Sequence, residues 1–479
     1  MKTALCSQSG FARQIDRYLN SVWYPVCLGA LCAFSGLGGS SRYTVCMGLI
    51  AVTVLLTVLF ATDMKPLFAP MLMSFCALGR DIGESYWEVG GDVMRYYHAG
   101  AFAFVIFLGV TAVIGLLIRF HKDGTLKDIW ENRGLAFWSI LVMDGAFLLN
   151  GLCSPQWVPL DLAYGFLMAF GFTFFYLVCA SIARRGENVA KFACQCMVCA
   201  AFIGVTQVSV LAIRSGAVST GTGDLPAAIR GSIELGWGVS TTVTGFVVLG
   251  IPAAFYLAAN HRFAPFTYTI GMLLCGFVAL AGSRSALLAG GFAAAVGVTA
   301  CCFGKNKRLC RLFAIVLLAL GALGIVLCHF FLMPLPEIAR TVAGKLRLDA
   351  LAEDSRIVIW QQGWEAFLQA PLFGVGFEPG AVIPHETVQN FFGKMYHNLF
   401  LQFAGATGIA GLLACGFHLF QLGRFGKKPT VKTVLLLTLP AMILMMSMVD
   451  NFFFYLNYQI AYCMFLAVAE RELGERKQI

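Results

Sequence analysis

A chain of 479 residues that is 59% hydrophobic and only 12% charged cannot cover a soluble surface with polar groups. The formal net charge of +9 is no nucleic-acid signal, because the basic residues gather at the ends of apolar runs. Those runs, about 17–24 residues each, are long enough to cross a hydrocarbon core as helices, and no barrel-like alternation is present, so the predicted class is an all-α polytopic membrane protein.

In chain order the predicted spans are 22–40, 43–62, 66–79, 99–119, 134–152, 162–183, 192–212, 239–259, 265–283, 285–303, 312–333, 396–423, 433–449 and 452–470. Span 66–79 is short and interrupted by proline, so twelve to fourteen spans are expected. Ahead of the first run stand Lys2, Arg13 and Arg17 with no clear cleavage site, so the first span is expected to remain as an anchor. Fourteen spans put both termini on one side. That side then holds 23 of the 34 Lys and Arg residues, among them Arg119, Lys122, Arg184, Arg185, Lys305, Lys307, Arg424 and Lys432. The bias predicts that side as cytoplasmic. The 17 cysteines are scattered within apolar runs without zinc-like spacing and read as packing residues.

Three connections on the opposite side are long: 80–98, 213–238 and 334–395. The first carries Arg80, Asp81, Glu84, Trp87, Arg95 and His98, and the second Arg214, Asp224, Arg230, Glu234 and Trp237. The third has structure of its own. Pro334 and Pro336 end the preceding span. Residues 337–349 can form a short amphipathic helix, and Asp354 or Ser355 is placed to cap a second one. On that helix Arg356, Trp360 and Trp364 fall at i, i+4 and i+8 and are expected to share a face. Pro371 stops it, and Gly374 and Gly376 supply turn geometry. The expected domains are therefore 1–333, a transmembrane bundle of about eleven spans by their length; 334–395, an extracytoplasmic helical loop; and 396–479, the last membrane helices with a cytoplasmic tail.

The external side offers several guanidinium groups, which bind phosphate oxygens bidentately and keep their charge at any working pH. Arg284, between two closely spaced apolar runs, and Arg356 lead the set; Arg230 and Arg214 follow. Each has a plainer reading: Arg284 reaching for headgroups, Arg356 pairing with Glu353 or Asp354, and the other two as ordinary loop arginines. His397 adjoins both the long loop and a membrane entry and could accept a proton from an attacking hydroxyl. His98 and His385 have weaker contexts. Asp144, inside a span, is expected to pair with an arginine or line a cavity, and Asp450 to act as a cap at the turn of the final hairpin. No DxD pair, metal-ligand cluster, P-loop or nucleophile elbow is present in the sequence.

The run from Gly282-Ser283-Arg284-Ser285 to Leu288, then Ser355-Arg356 with Trp360, then Pro371-Leu372-Phe373-Gly374-Val375-Gly376, then His397-Asn398-Leu399-Phe400-Leu401-Gln402 with Gly405 to Gly411 resembles the O-antigen ligase and polymerase superfamily of bacterial membrane glycosyltransferases. The resemblance covers roughly residues 230–415. It implies a GT-C-type bundle and a metal-independent, inverting glycosyltransferase without cofactor. Such an enzyme moves a preassembled glycan from a polyprenyl (undecaprenyl) diphosphate to an acceptor hydroxyl at the outer face of the cytoplasmic membrane. By position, Arg284 and Arg356 would bind the diphosphate and His397 would deprotonate the acceptor. Arg230 is a looser match, because Gly238-Val239-Ser240-Thr241-Thr242 stands where the family commonly shows an asparagine-rich stretch. The partners implied are the lipid-linked donor, a glycan or lipid-linked acceptor and membrane lipids, with no nucleic acid. Ligase and repeat-unit polymerase both stay open. A lipid-linked oligosaccharide flippase is the reading from another class, disfavoured because no repeated halves are visible.

Overall fold

The computed structural model describes residues 10–38, 40–79, 99–123, 127, 134–155, 157–214, 234–261, 263–281, 283–331, 356–377, 395–425 and 429–474. Arg80, His98, Arg230, His385 and the proposed cap at Asp354 or Ser355 lie outside them. The chain is all-α and polytopic, as its composition predicts. Its helices are α1 Gly10–Leu19, α2 Trp23–Gly36, α3 Ser40–Phe60, α4 Phe68–Met73, α5 Ala99–Lys122 and α6 Leu135–Leu148. They continue with α7 Pro159–Arg185, α8 Val189–Arg214, α9 Ser240–Asn260, α10 Ala264–Ala281, α11 Arg284–Phe303 and α12 Lys307–Phe331. The last four are α13 Arg356–Gln369, α14 Leu399–Phe425, α15 Val431–Met446 and α16 Leu456–Gly474. Among the described residues eight helices are long and apolar enough to cross a membrane, and α2, α6 and α15 are shorter apolar helices. A two-residue antiparallel ribbon, β1 Glu234–Leu235 with β2 Gly238–Val239, precedes α9.

The chain forms two compact units that are discontinuous in sequence: Met1–Glu131 with Ser181–Thr341, and Asn132–Ala180 with Val342–Ile479. In the first unit α9 is the axis. It is apolar on every face and buried from Val243 to Ala259, the pattern of a helix surrounded by others. Small residues permit the close approach: a Cβ at Gly250 would meet Ala201 and Leu274, and one at Gly297 would strike the Phe255 ring. The predicted span 66–79 is not one helix. Pro66 and Pro70 leave it as α4 flanked by the 3-10 turns Lys65–Leu67 and Ser74–Ala77. Buried partners satisfy the exposed carbonyls: Gln207 Nε2 donates to Cys76 O at 2.8 Å and Ser35 Oγ to Ala77 O at 2.8 Å. Trp237 Nε1, from the ribbon, donates to Gln207 Oε1 at 2.8 Å and fixes the amide's orientation.

The second unit packs α6 and α13 against α14, and α15 against α16. Its core is aromatic. Phe147 stacks on Phe172 and Phe403, and Phe453 lies 4.6 Å from Phe172 between ring centroids. The sequence reads 396–423 as one span, but α14 breaks at Gly408, whose φ of 65° and ψ of −155° are not helical. The Pro371–Gly376 turn fills the break. Val375 N–H donates to Gly405 O (2.8 Å) and Gly376 N–H to Ala406 O (3.2 Å); Ile409 and Ala410 N–H donate back to Pro371 and Leu372 carbonyls (2.8 and 3.2 Å). A broken membrane helix survives when its freed backbone groups find partners in protein, and this turn supplies four such bonds.

Among the described residues of this unit Asp144 has no arginine within ion-pair distance. It is buried and takes its hydrogen bond from the Thr173 hydroxyl. At the other end of α6, Glu470 accepts from Ala136 N–H (2.7 Å) and from Tyr176 OH (2.6 Å), closing the helix's free N-terminus.

Candidate active site

The segment 395–399 is short and held from three sides. Tyr396 is 1% exposed, and its ring passes between two glycines: a Cβ at Gly363 of α13 or at Gly405 of α14 would press on it. Its N–H donates to Gln402 Oε1 at 2.8 Å. Asn398 caps α14, its Oδ1 accepting from Phe400 and Leu401 N–H at 3.0 and 3.1 Å. Asn398 Nδ2 then donates to Met448 O (2.8 Å) and Leu399 N–H to Ser447 O (2.7 Å). These bonds tie the entry of α14 to the turn between α15 and α16.

That tie brings His397 to Asp450. Nδ1 of the imidazole lies 3.0 Å from Asp450 Oδ1. The carboxylate accepts, so Nδ1 carries a proton, and in the neutral imidazole the lone pair is then on Nε2. His397 itself sits at φ 50°, the left-handed region that a histidine adopts at some expense. Its carbonyl accepts from Trp360 Nε1 at 3.2 Å, which secures the conformation from α13.

Arg356, the first residue of α13, places Nη2 3.9 Å from Asp450 Oδ2, an ion-pair distance longer than a hydrogen bond. Asp450 thus lies between an imidazole and a guanidinium while its side chain is 5% exposed. Burial alone would raise its pKa. The bond from His397, the charges of His397 and Arg356 and the Asn451 N–H together outweigh burial and hold the carboxyl below its ordinary value.

His397 and Arg356, both read from the sequence, therefore meet, and Asp450 joins them. Asp450 accepts from the adjacent Asn451 N–H at 2.8 Å but caps no helix; Asn451 is the residue ahead of the 3-10 turn Phe452–Phe454, and Asp450 serves as the shared counter-charge. The i, i+4, i+8 series on α13 spans about 80° of the helix surface and changes in burial along it. Arg356 and Trp360 are half-buried, while Trp364 is 52% exposed and rests on Phe367. Arg284 belongs to the first unit. It opens α11, is half-buried, and follows Ser283, whose Oγ accepts from Ala286 N–H at 3.4 Å. Arg230 lies outside the described residues.

No curated protein matches the chain. Residues 269–416 match the family model described as O-antigen ligase, a stretch that includes Arg284, Arg356 and His397. That segment is similar to the O-antigen ligase family.

Proposed function

We propose that this protein is a metal-independent, inverting glycosyltransferase of the GT-C type. It transfers a preassembled glycan from a polyprenyl diphosphate to an acceptor hydroxyl at the outer face of the cytoplasmic membrane. The observation that carries the reading is the His397 imidazole, bonded through Nδ1 to a buried carboxylate and presenting Nε2 as the basic atom. In the proposed step Nε2 takes the proton of the acceptor hydroxyl as its oxygen attacks the anomeric carbon. The bond from that carbon to the diphosphate oxygen breaks on the opposite face, and the polyprenyl diphosphate leaves with the electron pair. Asp450 stabilises the imidazolium that forms. Arg356 would hold phosphate oxygens and offset the charge developing there, and Arg284 takes the same role on the resemblance in sequence. Arg230 is assigned with them as a looser contact.

The experiment is release of polyprenyl diphosphate from a lipid-linked glycan by the purified protein with acceptor present. Release proceeds with a chelator, and falls to background in His397→Ala and in Arg284→Ala although both insert in the membrane. Arg284→Lys is also poor, because a point charge does not reproduce the bidentate fork. Wild-type release by either alanine variant removes that residue from its role, and glycan transport without transfer rejects the enzyme. The family includes ligases and polymerases. Unattached long chains in a deletion strain mark a ligase; single repeats mark a polymerase.

A further inference from the structure

Two arginines of the first unit, neither of them in the proposed transfer chemistry, converge on a single turn. Arg214, the last residue of α8, donates from Nη1 to Leu37 O at 3.3 Å. Arg42, in the first turn of α3, lays its guanidinium over the next residue, Gly38, where any Cβ would collide with Cδ, Nε and Nη1 of the arginine. The same guanidinium sits 4.7 Å above the centre of the Phe34 ring. Both side chains are exposed, and among the described residues neither has a carboxylate within ion-pair distance.

Two positive charges on one short turn repel each other. Arg42 carries a second disadvantage, because the first turn of a helix is the positive end of its dipole and disfavours a cation. An anion seated between the two groups offsets both. The surface beside the charges says what else that anion bears. Arg42, Val45, Leu49 and Val52 recur at i, i+3, i+7 and i+10 along one face of α3, and the three apolar members are exposed. Phe34 and Ile213, next to the two charges, are exposed as well. A soluble phosphate has no use for such a stripe; an acyl chain has.

We propose that Arg42 and Arg214 form a binding site for the phosphate headgroup of an anionic membrane phospholipid, whose chain runs along Val45, Leu49 and Val52. Guanidinium forks match phosphate oxygens in geometry and charge. Gly38 is the positioning residue, since its missing side chain lets Arg42 fold over the turn. The inference is independent of the transfer reaction.

The test measures lipid retained by the full-length protein after extraction into detergent, by native mass spectrometry, with phosphatidylglycerol and phosphatidylcholine supplied in equal amounts. Wild-type protein retains phosphatidylglycerol in preference. The Arg42→Gln, Arg214→Gln double variant loses roughly thirtyfold of that retention, the size expected for two basic side chains facing an anionic headgroup. Arg42→Lys with Arg214→Lys keeps part of it. If the double glutamine variant does not fold, Arg214→Gln alone, which gives up one exposed bond to a carbonyl, still lowers retention. No preference in the wild type, or equal retention in the glutamine variants, overturns the site. Displacement of the bound phosphatidylglycerol by an equimolar short polyprenyl diphosphate also overturns it, because the site then belongs to the donor; resistance to that displacement supports the headgroup assignment.

Discussion

At His397 a non-glycine residue is held at positive φ, and everything around it serves to keep it there. Trp360 grips its carbonyl, Asn398 begins the next helix, and Asp450 accepts a hydrogen bond from the ring. Strain of this kind persists only where surroundings over-determine it. His397 and Arg356 were legible because residue type and motif announce them. Asp450 was not: it lies 53 residues from His397, and in sequence it looks like a hairpin cap. Its titration gives a test. The folded-state pKa is depressed, so its contribution to stability is complete above the ordinary carboxylate range and is lost as pH falls through the depressed value. Asp450→Asn removes that contribution at neutral pH and takes the shared carboxylate charge away from Arg356 and His397. Melting curves should show the variant less stable than wild type at pH 7, with the gap narrowing as pH is lowered into the acid range. Glycan transfer should fall by roughly 10²–10⁴, the usual worth of a well-oriented acid–base group. Unchanged turnover would separate the carboxylate from the chemistry.

At the scale of elements, the sequence predicts a turn at Pro371–Gly376 and a continuous span over 396–423, and the first expectation holds while the second does not. Hydropathy averages over a window, so one glycine in non-helical geometry leaves no mark on it. Gly408 is also one of several glycines in 405–411 that read equally well as close-packing residues. What the sequence could not show is that the turn and the break are two halves of one backbone junction. Nor could it show that Gly151 N–H, from the connection between α6 and α7, donates to Phe373 O at 2.9 Å. The junction sets where α13 ends and how α14 runs, and so where Arg356 and His397 come to lie. Gly374 tests it. Its φ is 71°, and a Cβ there would meet the backbone of Ala406, which has no rotamer by which to yield. Gly374→Ala should lose about 2–4 kcal/mol of stability from strain and broken packing. Gly416, on the same helix with open space at its Cβ position, is the control. Gly416→Ala should be neutral or slightly stabilising, because alanine is the better helix former. Equal thermal shifts in the two variants would mean that the junction does not govern the fold.

For the molecule as a whole, composition fixes the class and charge predicts the orientation, but neither shows how the ends of a bundle differ chemically. In the second unit they differ sharply. One end of α16 carries Glu470, bonded to the start of α6, and Glu472, 3.1 Å from Lys432 Nζ at the start of α15. The other end follows the turn that holds Asp450. A helix of 19 residues separates them by about 28 Å at 1.5 Å per residue, close to the thickness of a hydrocarbon core. The first unit repeats the basic end: Arg119 binds the Thr57, Val58 and Ala61 carbonyls that close α3, and Lys65 Nζ pairs with Asp63 at 3.1 Å and donates to Glu187 O at 2.8 Å. The expectation from the Lys and Arg bias of the sequence is that ends of this kind face the cytoplasm. The His397–Asp450 pair stands at the end opposite to the Lys432–Glu472 clasp; the proposed function requires that end to face outward, where a lipid-linked glycan would be presented. An export-dependent phosphatase joined after Gln369 should therefore be active, and one joined after Gly474 inactive. The reverse pattern would turn the protein over in the membrane and put the histidine on the cytoplasmic face, away from any exported glycan.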